Sequence, residues 1–564
     1  MRLAVRRATI SCLLLISCAF AANAGGCANA EVGEDDPDGQ SYLPDGSTKA
    51  DAASDGKSGD AASNGDGKVS GDAATGDATG DATIDSPVDA KPDVIPPDGG
   101  CVAIDLPDDN FVDSNCDGVD GNESDAVFVA TTGNDANSGT PSSPMLTISA
   151  ALGRAKTNNK SQVYVSQGTY KETVVLISGI SIYGGYVYPG WKRTADSFPV
   201  VIQDTAVGSS LIAMRGANIT APTTVERLVV QTLDGLSKSG VSTYGLHCNK
   251  CTSLTMRYVS LTAGHGGSGE LGTIGIDGAS GNNGNSGSGG TCDVNGTGAP
   301  GGAGGTSSCG RSGGAGGRGG DAPGQNSGNS GSSGVGGANG GGGGSSGDPS
   351  GSGASGAGGA DGTAGSNGTG GDGGKVSTTT FFWEGADGTA GSSGTNGGGG
   401  GGGGGSGSQS CLLCNDGYGN GGGGGGAGGC GGTGGKPGGA GGGSFGAFLV
   451  NSTGFVFEQC VINAAKGGTG GAGAIGGKGG ASGSGASGGS ACSAELGNGG
   501  KGGAGGDGGK GGVAGGGAGG PSYGVYKSGT TVSLTGQQVT ASGGGTGGIS
   551  LGNSGKTGAS APSN

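Results

Sequence analysis

The sequence predicts an all-β fold in which short strands stack circuit upon circuit, opened by long glycine-rich insertions and preceded by an unfolded acidic linker. Three observations carry this. Apolar and polar residues alternate in short β-branched runs between about 126 and 262. Strand positions recur at Val200, Val229 and Val259, 29 and then 30 residues apart, as one turn of a three-sided stack requires. One strand unit, at 244–264, returns at 445–465 and 523–542 with glycine-rich sequence between the copies.

The elements follow in order. "MRLAVRR" is a basic n-region, "ATISCLLLISCAFA" an apolar core of signal-peptide length, and Ala22-Asn23-Ala24 a small-residue cleavage site, so the protein is expected to be exported. "LISC", ending at Cys18, and "AGGC", ending at Cys27, both have the form of a lipid-attachment site. The two localisations predicted are therefore an outer-membrane or cell-surface lipoprotein and a freely secreted protein. Contact with the membrane is expected only through that amino-terminal anchor, because no later apolar stretch is long enough to span a bilayer. The expected division is a signal peptide at 1–26 and an acidic disordered linker at 27–100.

The formal charge of −16 belongs mostly to that linker: residues 31–100 hold 17 Asp or Glu and four Lys, a balance of −13. Repeating Ala, Ser, Gly and Asp describes a solvated, self-repelling tether, and its sign argues against nucleic acid as a partner. The chain has 153 Gly but only 18 Pro among 564 residues, and lacks the strict triplet register of a collagen helix along its length.

Residues 101–125 form an Asp-rich loop. Asp113, Asn115, Asp117 and Gly118 follow the start of an EF-hand loop, where alternate oxygens converge on a cation and Gly permits the turn. Ser124 stands where the bidentate Glu belongs, with Asp120, Glu123 and Asp125 close enough in sequence to substitute. Calcium is the expected cofactor, and the loop resembles the short calcium repeats of thrombospondin type 3 modules. Export makes disulfides available. Cys248 with Cys251 and Cys411 with Cys414 each have C-x-x-C spacing, which reads as a local disulfide or a zinc knuckle. The intervening gap of about 160 mostly glycine residues exceeds zinc-ribbon spacing and favours disulfides. Cys101 with Cys116, and Cys292 with Cys309, are further candidate pairs.

From 126 to 263 the strands "VFVA", "QVYVSQG", "ETVVLISGISIYGGY", "PVVIQD", "SLIAMRG", "VERLVVQT" and "LTMRYVSLTA" surround one helical segment, "TISAALGRA". "GNDANSGTPSSP" followed by "YVSQGTYKE" resembles the opening of a right-handed parallel β-helix of the pectin-lyase-like superfamily, in the form called DUF1565. That resemblance, nearly unbroken from Val127 to Glu172, implies the β-helix fold with the helix as its cap. Similar exported bacterial proteins carry the acidic linker, the "DSNCDG" loop and the β-helix in this order.

"YGLHCNKCTSLTMRYVSLTAG" at 244 aligns without a gap on "FGAFLVNSTGFVFEQCVINAA" at 445, and with one deletion on "YGVYKSGTTVSLTGQQVTAS" at 523. The tracts at 264–444 and 466–522 are then insertions leaving the stack at one repeated position, and 543–564 is a Gly/Ser-rich tail. With half their residues glycine, disorder is the expectation for these tracts. The alternative is a bundle of extended left-handed polyglycine strands. The tracts resemble mycobacterial PE-PGRS proteins in composition only.

No catalytic site is expected. His265 in "AGHGGSG" lacks the carboxylate pair of a polygalacturonase-like site, and His247, the one other histidine, lacks the setting of a triad. Arg215, Arg227 and Arg257 read as strand-face residues rather than lyase bases. Tyr183, Tyr186, Tyr188 and Trp191 read as turn packing rather than a sugar platform, and Trp383 as part of a strand strapped over the stack. The predicted function is an exported structural or adhesive surface protein; the alternative is a polysaccharide-binding or polysaccharide-degrading one, with extracellular polysaccharide the expected partner.

Overall fold

The β-branched runs become strands; those at 200–203, 228–231, 254–257 and 260–263 alternate in burial as predicted, whereas those at 126–129 and 162–166 are buried on both faces. In chain order they are β1 (Ala126–Val129), β2 (Gln162–Ser166), β3 (Gly168–Lys171), β4 (Val174–Val175), β5 (Ser181–Val187), β6 (Lys192–Arg193) and β7 (Val200–Gln203). Next come β8 (Ser210–Ile219), β9 (Thr223–Glu226), β10 (Leu228–Gln231), β11 (Ser242–Cys251), β12 (Leu254–Arg257) and β13 (Ser260–Ala263). After the first glycine-rich tract, which carries the hairpin β14 (Gly374–Val376) and β15 (Trp383–Gly385), the strands are β16 (Ser444–Val450), β17 (Val456–Glu458) and β18 (Val461–Ala464). The last are β19 (Ser522–Ser528), β20 (Gln538–Ala541) and β21 (Ser560–Ser563). This computed structural model describes residues 100–564 except 195–198, 205–209 and 411–414. The signal peptide, Cys18, Cys27, the linker up to Gly99, Cys411 and Cys414 lie outside the described residues.

The fold is all-β with parallel sheets. Three sheets run β1-β2-β5-β9-β12-β17, β3-β7-β10-β13-β18-β20 and β4-β8-β11-β16-β19-β21, and the chain visits them in rotation. Apart from the short β5–β6 pair, neighbours within these sheets are parallel, so like residues stack on like. Val163, Ile182, Val225, Met256 and Phe457 form one inward ladder. Tyr170, Ile202, Val230, Leu261, Ile462 and Val539 form a second, and Met214, Leu246, Ala447 and Val525 a third. All join one buried cluster, with Val539 packed at its edge. Each inward residue gains burial from the circuits above and below it. The observed pairing of Val229 with Val201 and Ser260 moves the spacing read from Val200 and Val259 by one residue at each end.

The helix α1 (Ile148–Thr157) buries Ile148, Ala151, Leu152 and Ala155 against this cluster. Thr147 caps its first turn, and the Glu172 carboxylate accepts from the amides of Ile148 at 2.8 Å and Ser149 at 2.9 Å, where the helix dipole favours an anion. Asp135 accepts from Leu146 and Thr147 in the same way, so the polar residues of "GNDANSGT" and "TYKE" set the helix in place.

The three copies stack as aligned. Tyr244 pairs with Phe445 and Leu261 with Ile462, while Phe445 pairs with Tyr523 and Ile462 with Val539, the one-residue deletion falling between. The glycine-rich tracts carry this register outward. Gly266 N–H donates to Lys466 O, Gly269 to Thr469, Gly272 to Ala472, and so on every third residue to Gly287 and Ser487. Returning strands run antiparallel: Gly442 donates to Gly267, Gly439 to Glu270, Lys436 to Thr273, down to Gly421 and Ser288. Disorder, the expectation for these tracts, therefore gives way to an ordered lattice of extended strands with three residues per repeat, the period of a polyproline II chain.

The strand at 397–405 is uninterrupted glycine and buried throughout. Its amides donate to strands on three sides, for example Gly400 to Gly426, Gly401 to Ala357 and Gly402 to Ser332. Its carbonyls accept on three more, from Gly314, Gly503 and Gly341 at the same residues. Six neighbours leave no room for a side chain: a Cβ on Gly402 would collide with the carbonyl oxygen of Ala315. Triplet register, missing along the chain as a whole, does hold strand by strand, as at Gly353, Gly356, Gly359, Gly362, Gly365, Gly368 and Gly371.

The lattice also decides the cysteines. The structure bonds Cys101 to Cys116 and Cys248 to Cys251. The pairing of Cys292 with Cys309 is overturned: Cys292 joins Cys492 and Cys309 joins Cys430, 200 and 121 residues away, because adjacent lattice strands bring them together. The Cys248–Cys251 disulfide lies on Gly216 of the next circuit, where a Cβ would come within 2.7 Å of Cys248 Sγ. Cys460 is free and buried.

Candidate functional site

Charged side chains gather on the outer face of the first sheet. At its bend into the second sheet, successive circuits place Arg227, Tyr258 and Gln459 in the left-handed region, with φ of 55°, 51° and 52°. These bends, with Glu226, Arg257 and Glu458 just before them, form columns along the stack. Arg257 Nη1 lies 3.2 Å from Glu226 Oε2, its Nη2 3.1 Å from Asp109 Oδ2 and its Nε 2.8 Å from Glu458 Oε2. Asp109, from the amino-terminal loop, also takes Arg227 Nη2 at 3.1 Å and the Tyr258 hydroxyl at 2.9 Å. Arg227 lies between the rings of Phe111 and Tyr258. Beneath them Arg193, on β6, is buried and bridges Asp120 at 3.1 Å and Glu226.

Burial pushes the Asp120 carboxyl up to about 6 against the pull of Arg193. Burial works against the Arg193 charge too, but Tyr186, Glu226 and Asp120 outweigh it and hold the guanidinium protonated. Carboxylates thus cluster on one outer face, yet each of Asp109, Asp120, Glu226 and Glu458 is matched by arginine. Beside them an open cleft of about 340 Å3 is lined by Arg257, Tyr258, Glu458, Gln459, Thr535 and Gln537.

The six residues of the calcium expectation divide. Asp113, Asn115 and Asp117 meet in one turn. Asp113 accepts from the amides of Asp117 and Gly118, Asn115 Oδ1 accepts from Asp117 N–H, and Asp117 accepts from Val119 and Glu123. Glu123 lines a shallow cleft with Asn115 and Asp117. Asp120 and Asp125 face elsewhere: Asp120 is drawn to Arg193, and Asp125 accepts from Ser161. Among the described residues no three His, Cys, Asp or Glu side chains are grouped for a metal ion.

The tyrosines considered for sugar stacking are packed inside. Tyr164, Tyr183, Tyr186 and Trp191 form a buried aromatic cluster with Phe128, and Tyr188 covers its edge. Tyr186 donates to Asp120 O at 2.6 Å, and Trp191 Nε1 to Pro141 O at 2.9 Å.

A second aromatic group sits on the outer face of the third sheet. Tyr244, Phe445 and Tyr523 stack along one row; His247, Phe448 and Tyr526 stack along the next, beside Arg215. The hairpin β14–β15 lies over both rows, giving Trp383 its place as a strap against Phe445 and Tyr526. His265 stands at the root of the first insertion, its amide donating to Asp234.

Sequence reasoning missed Asp109, Glu226, Glu458 and Arg193, which are isolated charges until the register aligns them, and Cys430 and Cys492. A comparison of the chain with protein-family models, curated proteins and solved structures finds no match. Among the described residues no helix is long and apolar enough to cross a membrane.

Proposed function

We propose that this chain is an exported surface protein with a structural or adhesive role, a right-handed parallel β-helix of the DUF1565 and pectin-lyase-like kind that holds a stiff glycine lattice outward from the cell. The observation that carries this reading is the unbroken register from β13 and β18 into the strands at 266–287 and 466–487. A lattice anchored in this way transmits load along backbone hydrogen bonds and presents polar side chains at its surface. Those side chains form rows at every third residue, such as the paired hydroxyls Thr363 with Thr395, Ser366 with Ser392 and Thr369 with Thr389. The amino-terminal lipid anchor and acidic tether are part of this reading.

The test is display of the full chain on cells, with attachment to polysaccharide-coated surfaces measured against a variant lacking residues 265–443. Loss of attachment with retained β-structure supports the reading; equal attachment overturns it. The second reading, a polysaccharide-binding or polysaccharide-degrading protein, is favoured by the cleft beside Arg257, Tyr258 and Glu458, and calcium-dependent cleavage of a polyuronate by the full chain would replace the first. Calcium at Asp113, Asn115, Asp117 and Glu123 would steady the loop that carries Asp109. A calcium-dependent rise in melting temperature, lost in Asp113→Asn, tests it.

A further inference from the structure

The hairpin β14–β15 is held over the third sheet by aromatic contacts and by one buried histidine. His247 is buried, with 1 % of its surface exposed. Its ring stacks on Phe382 of the hairpin at 4.0 Å between centroids and on Phe448 of β16 at 5.5 Å. Nε2 lies 2.9 Å from the carbonyl oxygen of Phe381, so the neutral ring donates there and ties the hairpin to the sheet. Nδ1 is buried without a hydrogen-bond partner. Further ties are Trp383 N–H to the Tyr244 hydroxyl at 3.1 Å, the packing of Trp383 on Phe445 and Tyr526 and of Tyr244 on Phe382, and the stacking of Arg215 on Phe382.

We propose that this hairpin is an acid-released strap: neutral His247 closes it over the aromatic rows, and protonation of His247 opens it to expose Tyr244, Phe445, Phe448 and Tyr526. Protonation would place a full positive charge in a buried aromatic setting, with a second positive charge on Arg215, which pairs with His247 across β8 and β11. Around the ring, β8 contributes Arg215; β11 contributes the Tyr244 phenol, kept neutral by burial; β19 contributes the Tyr526 phenol, raised likewise. β16 contributes Phe448. On the hairpin Lys375 and Glu384 pair across the two strands and are exposed. Burial first, and then Arg215, holds the closed-state imidazole down to about 4, whereas an open, hydrated one titrates near 6.5. The closed form is therefore fully favoured above about pH 6.5 and loses its advantage as pH falls towards about 4. The largest shift in the closing equilibrium is about 300-fold, from about 2.5 pH units at tenfold each.

The test uses the full chain and the fluorescence of Trp383, taken as the difference between wild type and Trp383→Phe. Acrylamide quenching of that component should rise between pH 6.5 and 4 while far-ultraviolet dichroism stays constant. His247→Phe should keep the strap closed across this range, and Arg215→Glu should shrink the acid response by offering the imidazolium a counter-charge. A rise that survives in His247→Phe, or no rise in the wild type down to pH 4, overturns the proposal. Should His247→Phe not fold, Arg215→Glu decides on its own: Arg215 is exposed, and an undiminished response in that variant refutes it.

Discussion

The strand circuits at 126–263 and the glycine lattice at 264–443 share a register but are held together by opposite means. In the circuits, Val, Ile, Leu and Met ladders give up water-exposed surface, and the backbone hydrogen bonds follow. In the lattice the interior strand 397–405 has no side chain to bury. Each of its residues pays the largest backbone entropy of any residue type, about 1–2 kcal/mol, against a net gain of about 0.5–1.5 kcal/mol per hydrogen bond. Those two amounts nearly cancel. The lattice therefore depends on what pins its strands: roots in β13, β16, β18 and β19, and the long-range disulfides Cys292–Cys492 and Cys309–Cys430.

The largest break in this comparison should come from a single side chain in the lattice interior. Gly402→Val places branched carbons against the Ala315 carbonyl with neighbours on six sides. It should cost more than about 4 kcal/mol, in the range reserved for overpacking without relief. Limited proteolysis should cleave the insertions of this variant while the circuits keep their β-sheet dichroism. Ser393→Ala, at an exposed position between the lattice glycines, should change stability by less than about 0.5 kcal/mol. Equal sensitivity at the two positions would mean the tight lattice does not form. In the circuits Leu246→Ala should cost about 2–5 kcal/mol by leaving a cavity against Met214 and Ala447, read from the urea midpoint of the sheet signal.

Replacing Cys309 and Cys430 together by Ser should cost about 2–5 kcal/mol, expressed in the lattice first. Hydrogen exchange should speed up at the amides around Gly400–Gly405 before it does so in β11 or β12. Simultaneous loss of protection would mean that the two regions unfold as one.

What could be read from the sequence follows the same divide. The alignment of residues 244, 445 and 523 was legible because alternating Val, Ile, Leu and Phe mark which residues face inward, and stacking preserves that phase. The lattice was less legible, since composition alone gives glycine no partner. The available signal was the exact third-residue phase at Gly266, Gly269, Gly272 and Gly275, which only strand-by-strand reading reveals. Cys292 and Cys492 could not be matched without folding both insertions. Asp120 looked like a calcium ligand because Arg193, 73 residues away, is not visible from the loop. The surrounding turn at Asp113, Asn115 and Asp117 was legible because all its hydrogen bonds are local.

An effect of pH separates the two outer faces of the circuits. Asp120, raised to about 6, binds its proton more tightly folded than unfolded, where it titrates near 3.9. Its contribution is full below about pH 4 and is lost as pH rises through about 6. His247, lowered to about 4, has the opposite sign: its contribution is present above about pH 6.5 and is lost as pH falls through about 4. Each is worth at most about 3 kcal/mol, and in the wild type they offset one another between pH 4 and 6.5. Asp120→Asn should therefore uncover a steady loss of stability on acidification, and His247→Phe a loss as pH rises, both read from urea midpoints at pH 4.5 and 6.5. Slopes of the same sign in the two variants would show that one of these faces does not titrate from the buried state described.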